Sequence, residues 1–281
     1  MVTKIIIISI VFLFAAWDIQ AYSQQKINDF YLSNFKDGTQ SWEVKGREAM
    51  VYDKYVDIEN MIANYYLEND KVVITSDKAR LHQDSMNVAL QDNVHIKNKD
   101  GMELFTNSLN WERDKNLINT EDWVKTSKDS MQIIAQGLSA DTQIKKADFE
   151  KNVEVTFPDE KTKTVTTATC SGPLEIEYSS GKAVFNDNVI VTHPQGKMFS
   201  DKTTLFFDVK EKKVVKIVSE GNVKIERENN VTFADKATYY DKEQKLILEG
   251  RPRLIYYPQA KGDDGLSGLF KKDKDKNKEK E

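Results

Sequence analysis

Beyond the first two dozen positions, apolar and polar residues alternate with a period of two. Val153, Val155 and Phe157 fall on one side of a run in which Lys151, Glu154 and Thr156 mostly fall on the other. Val223 and Ile225 alternate in the same way with Asn222, Lys224 and Glu226. Such a pattern predicts strands with one buried and one wet face. Turn-forming clusters punctuate it at Asn69-Asp70, Gln83–Ser85, Lys99–Gly101, Asp114–Asn116 and Lys128–Ser130, then at Ser179–Gly181, Pro194–Gly196, Glu228–Asn230 and Asp241–Glu243. Most neighbouring clusters are roughly 13 to 18 residues apart, too close for strand–helix–strand units and suited to long antiparallel hairpins. The expected fold is therefore an all-β meander, with Ile27 to Leu32 the one stretch that reads as a short helix.

A repeat of roughly 30 to 36 residues underlies the meander, a period typical of repetitive architectures. Its first mark is Asn-Val followed by alternation: Asn93-Val94-His95-Ile96, Asn152-Val153, Asn188-Val189-Ile190-Val191 and Asn222-Val223-Lys224-Ile225. Trp123-Val124 falls near the missing register, and Gly250-Arg251-Pro252 reads as a terminal variant. The second mark is Thr75-Ser76-Asp77-Lys78-Ala79, Phe199-Ser200-Asp201-Lys202-Thr203 and Phe233-Ala234-Asp235-Lys236-Ala237, with Phe105–Leu109 a looser copy. Each of these is expected to open a strand. Two strands per repeat cannot bury an apolar face alone, so the repeats must stack into a long curved double sheet, with Pro158 to Lys163 the best internal boundary.

Composition narrows the function. Lys and Arg number 41 against 45 Asp and Glu, for a net charge of −4, so no strong basic field invites nucleic acid. A basic start at Met1–Lys4, an apolar run from Ile5 to Ala16 and small residues at Ala21 and Ser23 form a secretory leader. The run is shorter than the roughly 20 residues of a spanning helix, which favours a cleaved signal over an inner-membrane anchor through residues 5–17. Residues 259–281 end in a run of Lys, Asp and Glu too polar to fold. Cys170 is the only cysteine, which excludes an internal disulfide and reads as a small buried side chain.

Catalytic chemistry is not visible. His82, His95 and His193 are far apart in sequence and none stands at metal-ligand spacing, and no phosphate-cradling loop occurs. The expectation is a non-enzymatic protein with no cofactor. More informative are the apolar strand positions. Phe105, Leu109 and Trp111 are expected to share one face, as are Leu205 and Phe207, with Phe233 just upstream of Tyr239. Together with Val94, Ile96, Val153, Val155, Val189, Val191, Val223 and Ile225 they are either an ordinary sandwich core or the lining of a cleft left open for acyl chains. The second arrangement gains about 0.8 kcal/mol for each methylene withdrawn from water.

The segment from Asp29 through Phe157, with Phe35-Lys36-Asp37-Gly38, Ser41–Gly46 and Ala49 at its start, resembles the periplasmic domain of LptC-type lipopolysaccharide-export proteins. The segment from Thr166 to Pro258 resembles an LptA/OstA domain, through Gly172-Pro173-Leu174, Ala183-Val184-Phe185, Gly221-Asn222-Val223, Ala237–Tyr240 and Leu248–Pro252. The resemblance implies a leader or anchor at 1–23, an LptC-like β-jellyroll at 27–157, an LptA/OstA-like one at 164–258 and a charged tail at 259–281. It also implies a periplasmic bridge protein that holds lipopolysaccharide acyl chains between two slightly open sheets. Its partners would be an inner-membrane ABC transporter and an outer-membrane translocon or further OstA-like domains, joined by edge-strand pairing. The alternative is a β-repeat scaffold or adhesion protein with a closed core.

Overall fold

The computed structural model describes residues 25–67, 70–141, 145–158, 162–211 and 213–257. The predicted leader and charged tail lie outside them. Hairpins connect β1 (Gln25–Lys36), β2 (Thr39–Val51), β3 (Tyr55–Tyr66), β4 (Lys71–His82), β5 (Val88–Asn98) and β6 (Glu103–Glu112). A single 3-10 turn, Arg113–Lys115, leads to β7 (Leu117–Lys128), β8 (Met131–Asp141) and β9 (Lys146–Pro158). Next, β10 (Val165–Cys170) and β11 (Leu174–Glu177) pair with opposite ends of β9. The chain then runs through β12 (Lys182–His193), β13 (Gly196–Asp208), β14 (Lys213–Arg227) and β15 (Asn230–Tyr240). Finally, β16 (Lys245–Glu249) and β17 (Arg253–Tyr256) share β15 as β10 and β11 share β9.

All seventeen strands form one sheet. Its pairings are antiparallel and follow chain order, as the alternation and turn spacing require. The predicted turns fall at hairpins, with Asn69 of the first of them outside the described residues. Others went unread, including Asp37-Gly38, whose φ of 50 and 77 make it the two-residue hairpin turn that Asp-Gly favours. The expected helix over Ile27–Leu32 is instead the first strand: Ile27 faces Ala49 and Leu32 faces Val44 across the β1–β2 pairing. Cross-strand pairing outweighs the weak local helical pattern there.

The two repeat marks turn out to be two sides of one bend. Asp92-Asn93, Asp187-Asn188 and Gly221-Asn222 have positive φ, as does Asn152, and all lie within strands rather than at their starts. Register slips beside them, between Gln91 and Val94, Asn186 and Val189, and Glu220 and Val223. Ser76-Asp77, Ser200-Asp201 and Ala234-Asp235 sit at the same breaks on neighbouring strands and do not open strands as expected. The breaks line up from strand to strand, so the sheet folds over along a single crease. Asn and Asp recur because they tolerate the left-handed conformation and because their side chains bridge the gap in the ladder. Asn93 Nδ2 donates to Asp77 Oδ2 at 2.7 Å and Asn222 Nδ2 to Asp201 Oδ2 at 2.9 Å. At the two split strands, Ser171-Gly172-Pro173 and Gly250-Arg251-Pro252 occupy the crease instead.

The residue after each Asn then points inward. Along the crease Val94 faces Thr106, Val124 faces Ala135, Val153 faces Cys170, Val189 faces Ser200 and Val223 faces Ala234, all of them buried. Alternating large and small side chains let the two half-sheets close on each other. Residues from both sides of the crease share the core: Val155 and Leu174 belong to one cluster, Ile58 and Ile96 to another. The first cluster runs from Val124 to Val189 and so passes through the β9–β10 hairpin that contains the predicted boundary.

Candidate functional site

The space between the half-sheets is the one feature that the whole length of the strands builds. One wall is a row of register partners, Ile74, Ile96 and Leu104 in the first part of the chain and Ile133, Val155 and Ala168 in the middle. The row continues through Val191, Met198, Ile225 and Thr232 to Leu254. The facing wall starts with Ala49, Ile58, Ala79, Leu90 and Leu109 and resumes with Leu138, Phe149, Leu174 and Phe185. Beyond Phe185 it turns to small and hydroxylated residues, Thr203, Ser219 and Ala237. There Thr203 Oγ1 lies 2.9 Å from both Ser200 Oγ and Ser219 Oγ, which satisfies these buried hydroxyls among themselves.

Closure differs along the stack. In the middle the walls are packed, with Val155 and Val153 at 1% and 2% exposure. Toward β1 and β17 the first of these rows opens to water, where Leu32 is 38% and Leu254 55% exposed. The third core cluster, at β14–β15, contains only Val223, Ala234 and Ala237 as buried members. Between these extremes Tyr65 and Trp111, from opposite half-sheets, meet edge to face with ring centroids 6.1 Å apart. The interior is thus an apolar slot, shut at the crease and filled with side chains at mid-length.

Most of the sequence-selected positions meet in this slot. Val94, Ile96, Leu109, Val153, Val155, Val189 and Val223 are buried in it, while Val191, Leu205, Phe207 and Ile225 pack against its clusters. Trp111 is in it through its contact with Tyr65. Two positions point elsewhere. Phe105 does not share the face of Leu109 and Trp111: the crease lies between them, so Thr106 and Leu109 both face inward and Phe105 stands outside, stacked on His95 at 4.1 Å. Phe233 is likewise outside, with the Arg253 guanidinium 5.5 Å from its ring centre. The alternation signal missed Tyr65, Phe149, Leu174 and Phe185.

Cys170 sits at the floor of the slot, and burial pushes its thiol up to about 11, which keeps it in the protonated form. Among the described residues no group of His, Cys, Asp or Glu is placed to hold a metal ion. Nor is any helix there long and apolar enough to cross a membrane.

β1 has a register partner only in β2, and β16 and β17 only in β15, so among the described residues both ends of the sheet present backbone groups without a neighbouring strand.

Comparison with protein families gives two matches in chain order. Residues 57–158 match the lipopolysaccharide-assembly, LptC-related family. Residues 171–268 match the LptA/(LptD N-terminal domain) LPS transport protein family. No curated protein matches the chain.

Proposed function

For a chain in which an LptC-related segment is followed by an LptA-type segment, we propose that the slot carries lipopolysaccharide by its acyl chains, as part of a periplasmic bridge between the two membranes. The observation that supports this most is the inward apolar row, which passes from β1 to β17 without a charged residue and is exposed at both ends. A methylene entering it gains about 0.8 kcal/mol, so several acyl chains would be held strongly without any sharp polar motif. The unpaired edges of β1 and β16–β17 suit strand addition by neighbouring domains of the same kind. In this reading residues 27–157 and 164–258 act as two units of the bridge, served by an inner-membrane ABC transporter and an outer-membrane translocon. The first residues either release the protein into the periplasm or tether it to the inner membrane. Transport needs no catalytic group in this chain.

The tightly packed middle of the slot favours a second reading, a scaffold with a closed core. Photo-crosslinking amino acids at Trp111, Phe207 and Val223 separate the two in cells, with Lys197 as an outward-facing control. Lipopolysaccharide adducts at the inward positions and none at Lys197 support transport. Clean protein at every inward position supports the scaffold.

A further inference from the structure

Beside the crease, on the outer face, a second row of register partners runs the length of the sheet. It starts with Tyr31, Lys45 and Ile62, where the Lys45 ammonium lies 5.6 Å from the Tyr31 ring centre. In its middle His95, Phe105, Lys125 and Ile134 stand side by side. It ends with Phe199, Lys224, Phe233 and Arg253, in which rings and cations alternate at 5.1 Å and 5.5 Å. Glu154 is its single carboxylate, in a chain whose net charge is −4.

The adjacent outer row, two residues toward the hairpins, has a different character. Glu103, Ser127, Gln132 and Thr156 are register partners there, followed by Thr192, Lys197 and Glu226. No ring interrupts it. Rings on this face are therefore concentrated in the first row, with Trp123 beside it in register with Gln136 and Tyr66 outside it in register with Lys71.

The line also has a concave place. Phe105, Trp123, His95 and Lys125, with Asn93 and Asn107, line a groove of about 640 Å³. Trp123 is 55% and Phe105 41% exposed, large apolar surfaces left in water. Among the described residues Lys125 has no ion-pair partner.

We propose that this outer row is a docking track for an extended anionic glycan, with the groove at Phe105, Trp123 and Lys125 as its principal subsite. A line one residue wide fits a linear polymer and not a folded protein, whose patch would cover about 800 Å² on each side. Its residues stand about 4.8 Å apart from strand to strand, comparable with one pyranose unit of an extended chain. Lys45 and Lys224 are paired with Glu43 at 3.7 Å and Glu226 at 2.6 Å, so among the described residues Lys125 and Arg253 are the cations of the row left for a ligand's carboxylates or phosphates, while rings take the apolar faces of sugars and amide side chains their hydroxyls. Cations separated by several strands suit a polymer charged at intervals better than a nucleic acid, with its phosphate about every 3.4 Å per strand. The inference concerns the outer face and does not need lipid in the slot.

The test uses the full chain and an oligosaccharide of alternating N-acetylglucosamine and glucuronate, titrated by calorimetry. A neutral N-acetylglucosamine oligomer, single-stranded DNA and anionic phospholipid vesicles serve as competing probes. Binding of the anionic glycan is expected to weaken about tenfold in Phe105→Ala and in Trp123→Ala, to recover in Phe105→Tyr, and to be unchanged in Lys197→Gln of the polar row. Lys125→Gln is expected to reduce the preference for the anionic over the neutral oligomer. The proposal is overturned if the full chain binds neither glycan, if binding is the same in Phe105→Ala and Trp123→Ala, or if DNA or vesicles bind more tightly. Lipid crosslinking at Trp111 and Val223 in the same variants reads the slot separately, so failure of one reading leaves the other standing.

Discussion

Tyr65 and Trp111 lie far apart in sequence, belong to opposite half-sheets, and meet with their ring planes at 88°. The contact ties the walls of the slot together on the side away from the crease. Removing it with Trp111→Ala is expected to cost about 2 kcal/mol, less than a fully buried Trp because the ring is only partly covered. Urea unfolding measures the loss. If the pair also acts as a latch, an apolar dye enters the slot faster in the variant, and unchanged uptake would show that the walls part elsewhere.

Asn222 tests the crease. Its φ of 47 disfavours any side chain other than Asn or Asp, and its amide donates to Asp201. Both Asn222→Gly and Asn222→Ala lose that bond, at about 1 kcal/mol. Alanine loses about 1 kcal/mol more by taking the left-handed conformation. Glycine should therefore be the milder change, the reverse of the usual order within a strand. Denaturation midpoints that rank alanine above glycine would refute the crease geometry.

Gly221 makes a sharper version of the same test. A Cβ added there would collide with the carboxylate of Asp201, and its φ of 76 is also left-handed. Gly221→Ala is expected to destabilise by more than about 1 kcal/mol, and Asp201→Gly in the same chain, which removes the colliding Cβ, Cγ and Oδ2, to restore only the part due to the collision. A double-mutant cycle with no coupling would mean that the collision is relieved by side-chain rotation alone.

Glu43 predicts an acid-sensitive edge. It accepts hydrogen bonds from Asn64 at 2.8 Å, Tyr66 at 3.2 Å and Tyr31 at 3.2 Å, and so joins β1 to β2 and β3. The bond from Asn64, with help from Lys45, holds its carboxyl below the usual 4.5. A lowered folded-state value means that the stabilisation is complete above 4.5 and is lost as the pH falls through that lower value. Amide exchange in β1 should accelerate as the pH falls through that lowered value, before the middle of the sheet opens, and Glu43→Gln should abolish that acid step.

Cys170 reports on the middle of the slot. With its thiol pushed up to about 11, roughly a thousandth is ionised at pH 8, and the side chain is buried opposite Val153. Alkylation of the folded chain should be more than about a hundredfold slower than in urea. Rapid labelling without denaturant would mean that the walls separate there in the native state.

The turns, the antiparallel hairpin order and most of the selected inward positions were legible in the chain, because Gly, Asn and Asp mark hairpins and alternation marks faces. The crease was visible as a repeat but not as a bend. Ser-Asp looked like a strand beginning because the break in the ladder interrupts the alternation there much as a turn does. The same interruption misplaced Phe105. From Phe105 to Leu109 the count is even, which in a straight strand means a shared face, yet the slipped register between them exchanges inside and outside. Phe233 was displaced relative to Ala237 for the same reason. Cross-sheet contacts such as Tyr65 with Trp111 leave no periodic trace, since they join residues whose separation in sequence is set by topology alone.

The hairpin between β9 and β10 fixes a proportion as well as a shape. In an assembly of separate chains, each junction has its own dissociation constant, and the number of complete paths depends on how much of every component is present. Here Phe157 and Thr166 are register partners within one polypeptide, so the stretches on either side are always made one for one and no shortage of either can leave that joint vacant.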